Sequence, residues 1–203
     1  VALQAELLAK VAASTATRSR LDAKTRLQLC LDVARGMEYL HAKRFVHFDL
    51  KSDNVLAAVR GRRLVCKVCD FGLSKRRRSQ ASFVSGVNSR RGTLPWTAPE
   101  VLRSPDKVTE SADVYSFAIV MWELQSLQAP FKDLHVYQIV SIVPDGDRPE
   151  VDATHGAAFL DAESYRALMQ RAWQSDPSLR PSFEDIFQEV QTLLDAQVAR
   201  EQR

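Results

Sequence analysis

The stretch His47-Phe48-Asp49-Leu50-Lys51-Ser52-Asp53-Asn54-Val55-Leu56 decides how the rest of the chain is read. Between residues 49 and 54 it offers a carboxylate (Asp49), a cation (Lys51) and an amide oxygen (Asn54). Phosphoryl transfer needs these groups together. A carboxylate orients an attacking hydroxyl and receives its proton, a positive charge neutralises the moving phosphoryl group, and hard oxygen atoms hold magnesium. A second carboxylate follows in Asp70-Phe71-Gly72, at the end of the strand-like run Leu64-Val65-Cys66-Lys67-Val68-Cys69. Alone, Asp-Phe-Gly is more often a turn than a metal site; the preceding loop gives it weight.

Upstream of the loop, Asp22 to His41 carries Leu27, Cys30, Leu31, Ala34, Met37, Tyr39 and Leu40 over a wide face with a period near 3.6, which predicts a deeply buried helix. Before it, residues 1–13 place Leu3, Leu7, Leu8 and Val11 at the spacing of a short amphipathic helix, and polar residues from Ser14 to Arg20 separate the two. Downstream, Val55–Val59 and Leu64–Cys69 read as two short strands joined by the basic turn Arg60-Gly61-Arg62-Arg63. Phe71 to Pro95 is a long polar connection without a period, and such a segment is usually functional or disordered.

After that connection, helical patterns return. Glu110–Leu127 is apolar nearly all round in its middle, which predicts a core helix. Asp113 is read as the single carboxylate in that pattern. It is expected to be hydrogen-bonded and not exposed, because an unpaired buried ion costs several kcal/mol. Further helices are expected at about Leu134–Val143, Asp161–Gln174 and Phe183–Arg200, the last opened by the capping-box pair Ser182 and Asp185. No internal repeat is present.

The 203 residues, 45% hydrophobic and 26% charged, suit one globular domain with a real core. A net charge of +3 is too small to argue for nucleic acid. Its excess is local: Lys75, Arg76, Arg77 and Arg78 stand together, with Arg90 and Arg91 nearby. That run reads first as a solvated loop, and second as a site for acidic substrates or phosphate, since it follows Asp70-Phe71-Gly72. No apolar stretch approaches about 18 residues, so no membrane segment is expected. The chain opens on Val1, not Met, which suggests a start inside a longer protein and hides any upstream targeting signal. Cys30, Cys66 and Cys69 make an odd set, which suggests a reducing compartment and a cytoplasmic location. Cys66 and Cys69 are spaced as C-x-x-C, but residues three apart on a strand point to opposite faces, and no second Cys or His pair sits at metal-ligand spacing. The strand reading is preferred to a redox or zinc pair.

Taken in order, these motifs resemble the protein kinase superfamily, a worked template for phosphoryl transfer. HFDLKSDN stands where that family has its catalytic loop, and Asp70-Phe71-Gly72 matches its DFG. Gly92-Thr93-Leu94-Pro95-Trp96-Thr97-Ala98-Pro99-Glu100 closes the activation segment with A-P-E. Asp113-Val114-Tyr115-Ser116-Phe117 and Trp173-Gln174-Ser175-Asp176-Pro177-Ser178-Leu179-Arg180-Pro181 resemble later parts of the same lobe. The resemblance covers most of the chain. It implies a mainly α fold with a small β element, with residues 1–203 forming the C-terminal lobe of a kinase domain whose N-lobe is missing and expected upstream.

The resemblance further implies transfer of the γ-phosphate of ATP to a Ser or Thr of a protein substrate, with Mg²⁺ as cofactor. Asp49 would be the catalytic base and Lys51 would contact the γ-phosphate. Asn54 and Asp70 would bind Mg²⁺, and Leu56 would lie under the adenine. His47 and Phe71 would stack in the regulatory spine, beside Gly72. Thr93 would reach toward Asp49 and Lys51 and shape the substrate platform. Glu100 would pair with Arg180, and Asp113 would anchor the catalytic loop. Lys51, two residues after Asp49, is similar to Ser/Thr kinases, and HFDLKSDN, GTLPW and DPSLRPSF look most like the tyrosine-kinase-like branch, Raf-like kinases of plant and algal type.

Two features depart from the family. The chain has no Gly-rich loop, no strand Lys for the α/β-phosphates and no Glu partner for it, and Phe48 stands where an Arg would read an activation-loop phosphate. Candidate phosphate sites remain at Ser79, Ser82, Ser85 and Ser89. A non-catalytic, pseudokinase-type interaction module or a truncated product is the alternative reading.

Overall fold

The computed structural model describes residues 22–61, 63–76, 94–104, 108–151 and 162–202. Helix α1 (Ala23–Ala42) starts where the Asp22 carboxylate accepts the Thr25 N–H at 2.7 Å. Leu27, Cys30, Leu31, Ala34 and Met37 are buried on it as expected, joined by Leu29 and Val33. Tyr39 is a correction: its side chain is 63% exposed. At about 100° per residue, position 39 lies roughly 200° around the helix from Met37, on the outer face. Arg26 on this helix is buried, and its guanidinium donates to the carbonyls of Leu124 and Gln125 at 3.3 and 3.1 Å.

Two small antiparallel ladders follow. β1 (Phe45–Val46) pairs with β4 (Lys75–Arg76), and β2 (Val55–Arg60) pairs with β3 (Arg63–Val68) from Val55↔Val68 to Arg60↔Arg63. The hairpin turn uses Gly61 at φ 61°, a left-handed conformation that glycine adopts without steric cost. The hairpin packs on α1, where Asp32 accepts the Cys66 N–H at 3.1 Å. The two cysteines of the C-x-x-C spacing go to different partners: the Cys66 thiol donates to the Leu29 carbonyl and the Cys69 thiol to the Asn54 carbonyl, both at 3.3 Å.

Helices α2 (Pro99–Arg103), α3 (Ser111–Ser126), α4 (Val136–Asp145), α5 (Ala162–Ala172) and α6 (Phe183–Glu201) complete the described fold. From Ala112 to Ser126, α3 is buried all round, as its apolar pattern predicts. It packs between α1 and α5, and the rings of Phe117 and Phe183 meet edge-on at 5.3 Å. The expected capping box opens α6: the Ser182 hydroxyl accepts the Asp185 N–H, and the Asp185 carboxylate accepts the Ser182 N–H, each at 3.1 Å. Phe183, Ile186, Val190 and Leu194 then form its buried face. Helix α4 lies two residues later than its pattern suggested. Leu134 is still in a turn bonded to the Phe131 carbonyl, and Gly146 at φ 114° closes the helix beyond Pro144. The helix expected over residues 1–13 and most of the Phe71–Pro95 connection lie outside the described residues. The fold is mainly α with a small β component.

Candidate active site

Helix α3 grips the catalytic loop through Asp113. Its buried carboxylate accepts the backbone N–H groups of His47 at 2.8 Å and Phe48 at 2.9 Å. His41, from the last turn of α1, meets the same carboxylate through Nε2 at 2.8 Å. The expectation of a hydrogen-bonded Asp113 is met. Three donors on one buried carboxylate are what allow a charge to sit in that core. The grip holds Phe48 at φ 62°, an uncommon backbone state for a bulky residue.

His47 stitches the loop to the strand behind it. Its Nδ1 accepts the Asp49 N–H at 3.2 Å, which places the ring proton on Nε2, and Nε2 donates to the Cys69 carbonyl at 3.1 Å. The ring lies 5.4 Å from that of Phe71. The ladder between β2 and β3 closes just before this point, and its last bond runs from Cys69 N–H to the Asn54 carbonyl at 2.8 Å. Asn54 and Asp70 therefore stand at the same end of the hairpin. Asp70 takes φ 62°, and its carboxylate accepts the Gly72 N–H at 3.2 Å. A Cβ at Gly72 would meet that same carboxylate oxygen at 3.2 Å, so a side chain there would crowd Asp70.

The loop's own polar groups converge on Asp49. The Asn54 amide nitrogen donates to the Asp49 carbonyl at 2.7 Å and to its Oδ2 at 2.9 Å, and Lys51 Nζ stands 3.2 Å from the same Oδ2. With nitrogen committed to Asp49, the Asn54 amide presents its oxygen as the remaining donor atom. That oxygen and the Asp70 carboxylate are hard donors of the kind magnesium selects, so the residues present fit the ion that the family motif implies. Leu56 on β2 is 48% exposed and Phe71 is 51% exposed, two apolar side chains open beside the polar cluster. Thr93 lies outside the described residues.

Glu100 at the start of α2 and Arg180 form a two-pronged pair, with both N···O distances 2.7 Å. Arg180 also donates to the carbonyls of Ser111 and Gln174, and Tyr115 lies under it with its ring centroid 5.4 Å away. This pair ties α2, and with it the end of the activation segment, to the turn that precedes α6.

One site residue was passed over in the sequence. Asp113 is not the single carboxylate within α3: Glu123 lies nearly three turns further along, equally buried. Its Oε1 accepts the Ser52 hydroxyl at 2.7 Å and its Oε2 accepts the Trp96 indole N–H at 2.8 Å. Burial pushes its carboxyl up to about 8, against the pull of those two donors. The available signal was the one that flagged Asp113: an acid in the middle of an otherwise apolar helix.

Comparison with known proteins agrees with this geometry. A family model described as protein tyrosine and serine/threonine kinase matches residues 2–190. The chain is 40% identical over 177 residues to the probable serine/threonine-protein kinase SIS8 of Arabidopsis thaliana, covering 86% of this chain and 16% of that protein. It is 37% identical over 192 residues to the serine/threonine-protein kinase CTR1 of the same plant, covering 89% and 21%. It is 39% identical over 168 residues to the probable serine/threonine-protein kinase drkD of Dictyostelium discoideum, covering 82% and 12%. The chain thus spans about a fifth or less of the length of these relatives.

Proposed function

The chain belongs to the protein tyrosine and serine/threonine kinase family, and on that premise we propose that it forms the C-terminal lobe of a kinase that phosphorylates proteins on serine or threonine. The observation that carries this reading is the convergence on Asp49. Asn54 and Lys51 both engage Oδ2 and fix the carboxylate's orientation, which leaves Oδ1 for an incoming hydroxyl. In the transfer, the substrate oxygen bonds to the γ-phosphorus of ATP, the bond to the β-bridging oxygen breaks, and the hydroxyl proton passes to Asp49. Lys51, within reach of the same carboxylate, neutralises charge on the phosphoryl group. Magnesium, held by the Asn54 oxygen and Asp70, would offset the negative charge of the phosphates. Catalysis of this kind is mostly positioning and electrostatics.

The relatives named as serine/threonine kinases and Lys51 support the acceptor class, and the plant relatives support a place in the Raf-like part of the tyrosine-kinase-like branch. Leu56 and Phe71 support a two-lobe arrangement, since their open apolar surfaces suit cover by an adenine ring and an N-lobe. The sequence itself supplies neither a Gly-rich loop nor the paired Lys and Glu. Among the described residues no helix is long and apolar enough to cross a membrane. Cytoplasmic placement is part of the proposal and agrees with three unpaired thiols.

The test is phosphoamino-acid analysis with Mg·ATP, comparing the 203-residue chain with a longer protein that adds an N-lobe. Phosphoserine or phosphothreonine from the longer protein only is the expected result. Phosphotyrosine alone would overturn the acceptor class. No transfer from a folded, ATP-binding protein would favour a non-catalytic interaction module instead.

A further inference from the structure

Three polar side chains share one face of α3. At about 100° per residue, Asp113, Ser116 and Glu123 fall within an arc of roughly 80°. Each is buried, and each holds a piece of the site. Asp113 holds the backbone of His47 and Phe48, and Ser116 Oγ donates to the Trp96 carbonyl at 2.8 Å. Glu123 reaches both the loop and the end of the activation segment, Ser52 beside Lys51 and the indole of Trp96. Ser52 and Trp96 are themselves buried.

We propose that Glu123 is a positioning residue for phosphotransfer, locking the catalytic loop and the substrate platform into one rigid unit through Ser52 and Trp96. This rests on the kinase reading above. A well-packed apolar residue at position 123 would suit a purely structural helix, and buried polar groups are often replaceable in that way without loss of stability. Here such a residue would orphan a hydroxyl and an indole N–H, each inside the core. In the structure Oε1 accepts the Ser52 hydroxyl and Oε2 accepts the Trp96 N–H. Glutamine has the same shape: its amide oxygen can accept from Trp96 while its nitrogen donates to the Ser52 oxygen. Leucine has neither.

The consequence is a coupling between residues that do not depend on each other through the backbone. Loosening Ser52 should free the Trp96 indole, and loosening Trp96 should disturb the loop that carries Asp49 and Lys51. Misplacement of reacting groups by about 1 Å costs on the order of 10²-fold in rate.

Two measurements decide it, the first independent of activity. In the 203-residue chain, exchange of the Trp96 indole proton is followed by NMR in wild type, Ser52→Ala, Glu123→Gln and Glu123→Leu. Ser52→Ala and Glu123→Leu are expected to speed exchange at least tenfold at unchanged global stability, and Glu123→Gln to hold it within threefold. Unchanged exchange in Ser52→Ala would overturn the lock, whatever the chain's activity. If Glu123→Leu does not fold, Ser52→Ala carries the exchange test alone. In the longer protein with an N-lobe, Glu123→Leu is expected to lower kcat about 10²-fold with the KM for ATP unchanged. Glu123→Gln is expected to restore most of that loss, and Ser52→Ala and Trp96→Phe to be less than additive. Equal loss in the Gln and Leu variants, or full additivity, would overturn the positioning role. A wild-type protein without transfer would sink the kinase reading, while the exchange measurement would still decide the lock.

Discussion

Asp49 and Asp70 are close in role to what an asparagine cannot do, since the amide keeps the shape and loses the charge. In a longer protein that adds the proposed N-lobe, Asp49→Asn and Asp70→Asn should each cut phosphate transfer by about 10²–10⁴-fold while the melting temperature stays near wild type; turnover close to normal would refute the proposed roles. Glu123 gives a second prediction, in stability. Its carboxyl titrates near 4.5 ordinarily and about 8 in the fold, so the folded state keeps a proton that the unfolded chain has already lost. Its contribution is full below about 4.5, declines as pH rises from there, and is gone above about 8. Urea titrations of wild type and Glu123→Gln should therefore show the difference between them moving against wild type from pH 5 to pH 8. A difference that is flat across that window would place the carboxyl in an ordinary range. At this scale, Asp49, Lys51, Asn54 and Asp70 were legible because they stand in two short local texts. Glu123 stands in no such text: it carries the same signal as Asp113, an acid inside an apolar helix, and its partners lie 71 and 27 residues away in the chain.

Among elements, the long helices and the hairpin of β2 and β3 were legible and the two-residue strands were not. A period near 3.6 over α1, an apolar run nearly all round α3 and the capping box of α6 leave little freedom, whereas the two-residue strands β1 and β4 are too short to show any alternation. Of the seven apolar residues expected on one face of α1, Tyr39 faces out, because hydrophobicity alone does not fix an angle. The pair between Glu100 of α2 and Arg180 was legible as a possibility and became a structural tie only through geometry. Both terminal guanidinium nitrogens are used on the carboxylate, and Nε and the remaining Nη1 donor go to carbonyls. Arg180→Leu should cost about 3–5 kcal/mol in chemical denaturation, because it strands Glu100 and orphans those carbonyls. Arg180→Lys should recover only part of this, since an ammonium cannot span two carboxylate oxygens in the same plane. Full recovery by lysine would show that charge alone is enough.

For the whole molecule, Phe48 bears on control. An arginine there would offer a fork of donors to a phosphorylated activation-loop residue, and phenylalanine offers none. In the longer kinase, replacing Ser79, Ser82, Ser85 and Ser89 together by Ala should leave most of the turnover. A large drop restored by acidic substitutions would mean that another basic group, Arg90 or Arg91 first, reads the phosphate. The buried thiols have a different use. Cys30 is fully buried, with its thiol pushed up to about 12, and burial raises Cys66 further still. Thiolate is the form that alkylating reagents attack, so neither should react while α1 and the β2–β3 hairpin stay packed together. Cys69, only partly covered, should be modified first. Mass spectrometry after a timed pulse of iodoacetamide would then sort molecules into one-tag and three-tag populations. Cys30 is covered by Tyr165 of α5 and Cys66 by α1 beneath the hairpin, so in an all-or-none opening they should be tagged together, and intermediates with two tags should be scarce. Abundant two-tag species would show that the hairpin lifts off α1 before the helices part. The chain's own three thiols thus serve as a clock for its opening, read with one small alkylating reagent.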